Sequence, residues 1–241
     1  MGVLWALAVA AVLAPQSLRP WGLAVLYGVV AAAASAQAVD ASRRDHHGTD
    51  RLIAGLGASS LAVSATLGAQ VLGAGFLGLV VVALVAVLVT PESVHRPIPR
   101  AGAIVLAAGI TGGAAASLVL LSSYEIGALI ILLVFVMVYD ASDFIVGSGA
   151  SNGLEGPVAG MLMIAATASV FAVVEAPPFR GADVWTFAIL TMISLPAGQM
   201  VASAMLPQAN HHAPALRRLD SMLVVAPLWA GLVGLYMANV A

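Results

Sequence analysis

The chain has 241 residues, 61% of them hydrophobic and 8% charged, with a net charge of −2 and a mean hydropathy of +1.05. A soluble domain carries roughly 25% charge, so this composition describes an integral membrane protein, and the slightly negative balance points to no nucleic-acid partner. The absence of cysteine excludes disulfides and thiolate metal sites.

An α-helix rises about 1.5 Å per residue and needs about 17 to 25 apolar residues to cross about 30 Å of hydrocarbon. The first candidate span, Met1 to Ala14, is short and stops at Pro15. A signal peptide is the competing reading, but the segment lacks a basic n-region and leads past Arg19 straight into a second span, Trp21 to Ala38. Residues 52–90 are too long for one crossing, and Gly68, Gly73 and Gly75 mark a turn within them. Further spans are expected at 102–122, 126–140, 156–176, 185–206 and 221–240. The expected fold is therefore all-α and polytopic, with about nine membrane helices. Residues 1–38 supply two N-terminal helices and 39–241 the main membrane domain.

Cytoplasmic loops keep the excess of basic residues, and all nine basic residues here are arginine. With nine crossings, Arg43, Arg44, Arg51, Arg96, Arg100, Arg217 and Arg218 fall on one side, against Arg19 and Arg180 on the other. This asymmetry predicts a multi-pass cell-membrane protein with a cytoplasmic N-terminus and an external C-terminus. It also places Asp140, Asp143, Glu155, His211, His212 and Asp220 at the cytoplasmic face.

An ionisable side chain at bilayer depth costs about 2.5 to 3.5 kcal/mol or more, so the two polar clusters stand out. The stretch "VYDASDFIVGSGASNGLEGPVAG", residues 138–160, holds three carboxylates and no basic residue, the wrong composition for a positive-inside anchor. If the helix continues through Asp140 and Asp143, the two share a face. Such hard oxygen donors suit Mg²⁺, which typically bridges a few carboxylates and substrate phosphates. The neighbouring glycines would let backbone N–H groups approach an anion. The plainer alternative is that Asp140 ends a helix and Glu155 caps the next. The second cluster, "HHAPALRRLDSMLVVAP" at 211–227, admits the same two accounts: a working site, or arginine anchors with Asp220 as an N-cap.

Taken together, the clusters resemble the phosphatidate cytidylyltransferase family, membrane enzymes that form CDP-diacylglycerol from CTP and phosphatidate. In "DASDFIVG", Asp140, Phe144 and Gly147 match the family pattern Asp-x-x-Ala-Tyr-x-x-Gly. "GLEG" is similar to Thr-Trp-Glu-Gly, keeping Glu155 and Gly156. "GQMVASAM" is similar to Gly-Asp-Leu-x-Glu-Ser, keeping Gly198 and Ser203. "RRLDSMLVVAP" is similar to the closing Asp-Arg-Leu-Asp-Ser stretch, keeping Arg218, Leu219, Asp220, Ser221 and Pro227, while His212 falls where His-Gly-Gly would begin. The resemblance covers about residues 51–240 by helix order.

It implies CTP and a phosphatidate-like lipid as partners and Mg²⁺ as cofactor, held by Asp140 and Asp220. Asp140, Asp220, Ser203 and His212 would be catalytic, while Asp143, Ser151, Asn152, Glu155, Arg217 and Arg218 would bind substrate. A homodimer is a further expectation. The departures all remove charge: Gln199 stands for an Asp, Ala202 for a Glu, Leu206 and Pro207 for a basic pair, and Arg217 for the first Asp of the last motif. Gly149, Ala150, Ser151 and Asn152 stand where the family is lysine-rich, and the stretch from Ser203 to His212 is short. Phosphates want Lys or Arg and a metal wants carboxylates, so a weakened site is expected. The alternatives are a non-catalytic relative that binds lipid or organises a complex, and a small-solute transporter. The transporter is suggested by Pro196 inside a span and by the glycine-rich helices, but midplane charges are few, and Glu125 and Glu175 are expected at span ends.

The orientation is open to direct measurement, because the chain has no native cysteine to interfere. Single cysteines introduced as Arg43→Cys and Gly181→Cys are expected to react with an impermeant maleimide from opposite faces of the membrane. Labelling of both from one face would overturn the arginine-based topology.

Overall fold

The computed structural model describes residues 2–16, 19–42, 48–89, 97–208 and 211–240, with the side chains of 2–6 and 240 excepted. Arg43, Arg44 and Arg96, which enter the orientation argument, lie outside the described residues. The described elements are ten helices: α1 (Gly2–Leu13), α2 (Arg19–Ser42), α3 (Gly48–Ala65), α4 (Ala69–Val89), α5 (Pro97–Tyr124), α6 (Ile126–Gly147), α7 (Glu155–Val173), α8 (Asp183–Ala204), α9 (Leu216–Leu219) and α10 (Met222–Val240). Among the described residues there is no strand.

Seven helices are long and apolar enough to cross a membrane: α2, α4, α5, α6, α7, α8, and α9 continued into α10. Nine crossings were expected, and the difference lies at α1 and α3. With 12 residues, α1 spans only about 18 Å. With 18 residues, α3 has the length, but Thr49, Asp50 and Arg51 and a run of Gly and Ser dilute its hydropathy. It is nevertheless packed between α2 and α5. One other boundary matters for chemistry. α6 does not stop near Asp140 but continues to Gly147, so Asp140 and Asp143 stand three apart on one helix.

Inside lipid there is no hydrophobic drive between helices, and association rests on close packing of small residues and on interhelical hydrogen bonds. The interior helix α5 follows that rule. Its buried residues include Ala101, Ala107, Ala108, Thr111, Gly112, Ala114, Ala115 and Ala116. At Gly112 a methyl group would lie 2.7 Å from the Cα and 2.8 Å from the carbonyl oxygen of Ala58, so α3 and α5 touch backbone to backbone. The Thr111 hydroxyl reaches the carbonyl of Ala31 at 3.3 Å, and Ser59 that of Gly28 at 3.3 Å, joining α2 to both neighbours. The other half of the bundle, α6, α7, α8 and α10, closes over an aromatic core of Phe135, Phe171, Phe179, Phe187 and Trp229. There the Trp229 indole N–H donates to Thr191 at 2.8 Å.

Short connections turn successive helices back on themselves. One end of the bundle therefore collects the C-terminal turns of α2, α6 and α8 and the first turns of α3, α5 and α10. At this end Arg100 forms a two-pronged pair with Asp50, both contacts 2.7 Å, and the residues are only 9% and 1% exposed. Arg51 pairs with Asp40. The polar first turn of α3, which keeps it from qualifying as a span by itself, is thus neutralised by α2 and α5.

Breaking a buried ion pair from one side is costly because it strands a charge, whereas removing both partners costs much less. Arg100→Leu should lower stability in detergent by about 3 to 5 kcal/mol, read from thermal melting. The double variant Asp50→Leu with Arg100→Leu should recover most of that loss. Equal loss in both variants would mean that the pair does not carry α3.

Candidate functional site

Three separate stretches of chain meet at the polar end of the bundle. From the turn just before α10, the Ser221 hydroxyl donates to Asp140 Oδ1 on α6 at 2.7 Å and lies 3.5 Å from Asp220 Oδ1. Asp220 Oδ1 also accepts the Ser221 backbone N–H at 2.8 Å. The Arg217 guanidinium donates to Ser203 Oγ at the end of α8 at 3.2 Å and lies 3.7 Å from Asp220 Oδ2. Asp140, Ser203, Arg217 and Asp220, spread over 80 positions of sequence, therefore form one cluster with Ser221 at its centre.

Two residues explain why the cluster can form. Gly198 faces the junction between α9 and α10 so closely that a Cβ there would collide with the carbonyl oxygen of Asp220 and approach that of Ser221 at 3.2 Å. Without a side chain, α8 can bear directly on the backbone that presents Asp220 and Ser221. From the opposite side, Gln37 near the end of α2 accepts the Ala215 N–H at 3.0 Å and the Leu216 N–H at 3.3 Å through Oε1. These are amide groups at a helix start that have no partner within the helix. Buried Ala213, Leu216 and Leu219 complete the seat of α9.

Asp143 belongs to an adjoining network. The Gln199 amide donates to Asp143 Oδ2 at 3.2 Å and accepts from the buried Tyr139 hydroxyl at 3.4 Å. Gly156 and Gly160 of α7 let this face of α6 approach. A Cβ on Gly156 would strike the Asp143 carboxylate, and one on Gly160 would strike the Tyr139 ring. Their four-residue spacing is that of small-residue helix contacts in membranes. An open cleft of about 370 Å³ remains between the helix ends, lined by Asp143, Phe144, Gly147, Asn152, Gly153 and Gly156.

Ser151, Asn152 and Glu155 also come together, but with one another. Ser151 Oγ and Asn152 Nδ2 both donate to Glu155 Oε1, at 2.9 and 2.8 Å, and Asn152 Oδ1 accepts the Leu154 N–H at 2.9 Å. This is the geometry of a tied loop at the start of α7, with a carboxylate at the positive end of the helix. His212 and Arg218 are exposed and make no side-chain bond among the described residues.

No protein-family model matches the chain, and no curated protein matches it either.

Among the described residues no group of three or more His, Asp or Glu side chains is placed to hold a metal ion. Asp140 and Asp220, on either side of the Ser221 hydroxyl, are two hard oxygen donors of the type a divalent cation takes. Two contacts work against occupancy. Arg217 stands beside Asp220, and Gln199 occupies one oxygen of Asp143. The cluster is thus an acidic surface partly neutralised from within, with a cation at its edge.

Sequence reasoning named neither Gln37 nor Ser221 as site residues. The signal for Gln37 was available, since a lone glutamine in the alanine-rich end of a span must find a partner. Its partner, 178 positions away, was not. Gly198→Ala should displace the junction of α9 and α10, because the obstructing atom is backbone. We expect a loss of about 1 to 3 kcal/mol in thermal melts with faster hydrogen exchange at Asp220 to Leu223. Unchanged exchange there would contradict the contact.

Proposed function

We propose that the chain is a divergent phosphatidate cytidylyltransferase-like membrane protein, with its site at the cytoplasmic membrane surface and a turnover that is weak or lost. The observation that carries the reading is the meeting of Asp140, Ser203, Arg217 and Asp220 from three stretches whose order and residue types resemble that family. In the proposed reaction a phosphate oxygen of phosphatidate forms a bond to the α-phosphorus of CTP. The bond between the α-phosphorus and the bridging oxygen breaks, and pyrophosphate leaves. Chemistry of this kind depends mainly on positioning and charge neutralisation. Arg217 and Arg218 would meet phosphate oxygens, Ser203 would orient Arg217, and Ser221 would hold the Asp140 and Asp220 carboxylates at a set distance. A Mg²⁺ on those two carboxylates would supply further neutralisation of phosphate charge.

A second reading, a non-catalytic relative that binds lipid, draws on the internal bonds. Gln199 and Arg217 already engage Asp143 and Asp220, and in both places the family pattern has an Asp. An arginine where a metal ligand belongs places a positive charge against a divalent cation and opposes its binding. The transporter reading has less support: α8 runs unbroken through Pro196, and Glu125 serves as the N-cap of α6.

Protein in detergent supplied with CTP, Mg²⁺ and phosphatidate is expected to release pyrophosphate slowly or not at all, with the limit set by metal affinity. The double variant Arg217→Asp with Gln199→Asp should bind Mg²⁺ or Mn²⁺ more tightly than the wild type, measured calorimetrically. Fast wild-type turnover would reject the weakened site. Failure of both proteins to bind metal and to turn over would leave the non-catalytic reading standing.

A further inference from the structure

The two halves of the bundle leave a second cleft, apolar and about 320 Å³ in volume, at the same end as the cluster. Its walls include Ala38 and Ala41 of α2, Ala103 and Ala107 of α5, and Met205 and Pro207 just beyond α8. Ligand cavities typically begin near about 300 Å³. Its walls, mostly alanine with Leu106, Met205 and Leu206, suit an apolar group. Ser42, the one polar residue lining it, has its hydroxyl turned to the carbonyl of Val39 at 2.9 Å.

Two walls of the slot are continuous in sequence with the polar cluster. Ala38 follows Gln37, which seats α9 and thereby Arg217, and Ala204, another lining residue, follows Ser203, which accepts from Arg217. An apolar slot thus opens next to the elements that carry Arg217 and Arg218, the second of which is exposed. At the edge of the acidic cluster the exposed Arg218 offers a cation to an anionic head, and the slot complements a hydrocarbon tail. We propose that the cleft between α2, α5 and the end of α8 seats one acyl chain of an anionic phospholipid whose phosphate lies on Arg217 and Arg218. The end of α2 is then part of the binding site. This deepens the function proposed above and rests on it only for the use made of the polar end. Lipid seating requires no turnover.

The test uses the full chain in phosphatidylcholine nanodiscs doped with phosphatidic acid carrying a diazirine in mid-chain, with adducts located by mass spectrometry. A diacylglycerol with the same labelled chain serves as the neutral probe. Adducts at positions 38, 41, 103 and 107 should form at least about fivefold more with the anionic probe, while labelling of the outward faces of α4 and α7 should not distinguish the two. Ala103→Phe, which fills the slot, should abolish the preferential adducts. Arg218→Gln, at an exposed position that leaves packing untouched, should bring the two probes close to parity. Equal labelling of the slot by both probes in wild type, or preferential adducts that persist in Ala103→Phe, would overturn the proposal. Preferential labelling without pyrophosphate release would retain this seat and discard catalysis. Turnover without preferential labelling would do the reverse.

Discussion

Gly112 of α5 against the backbone of Ala58 is the contact on which the rest of the bundle depends. Lipid tails are as apolar as any leucine, so burial of hydrocarbon alone cannot hold helices together there. What holds them is the short distance that only missing or minimal side chains permit, and α2, α3 and α5 supply it with alanine and glycine. At such separations hydroxyl groups can reach a neighbouring helix's carbonyls, as Thr111 and Ser59 do. Because α5 also packs against α4, α6, α9 and α10, the α3–α5 distance sets the frame in which the second half of the molecule sits.

The charges follow from this frame. α3 is not apolar enough to qualify as a span by itself, and its first turn brings Asp50 and Arg51 into a protein that can tolerate few charges. Each is answered from a different neighbour, Asp50 by Arg100 and Arg51 by Asp40. The pairing is more than neutralisation. A two-pronged carboxylate–guanidinium contact has a set geometry, so it registers α3 along α5. The cost of burying both ions is offset only while both remain paired.

The polar cluster relies on the same economy of space. Gly198 lets α8 touch the backbone of Asp220 and Ser221, and Gly156 and Gly160 let α7 touch the face of α6 that carries Tyr139 and Asp143. Glycines near a suspected phosphate site suggest an anion cradle. Here Gly156 serves helix contact, the donors to the carboxylates are Ser221 and Gln199, and Arg217 stands beside Asp220 as an ion pair. Gln199 and Arg217 are thereby tied into internal contacts with Asp143 and Asp220. Gln199 is the clearest case, since an aspartate in its place could not donate to Asp143.

Composition and span length alone determine that this is an all-helical protein of the membrane, because a 30 Å hydrocarbon layer admits few ways to satisfy a backbone. The spacing of Asp140 and Asp143, and the order of the polar motifs, were equally legible, since they depend on positions close together in the chain. The fate of α3 was not legible. Its hydropathy is marginal, and only the packing of α2 and α5 around it decides that its charges are buried. Nor could the sequence reveal that Gln37 holds α9 or that Gln199 bonds to Asp143, because each contact joins residues on separate helices whose rotation about their own axes is set by small-residue packing. His212 and Arg218 show the same division from the other side. In sequence they lie beside Arg217 and Asp220, yet the short turn of α9, by directing Arg217 and Leu219 inward, leaves Arg218 exposed, and His212 is exposed in the segment before it.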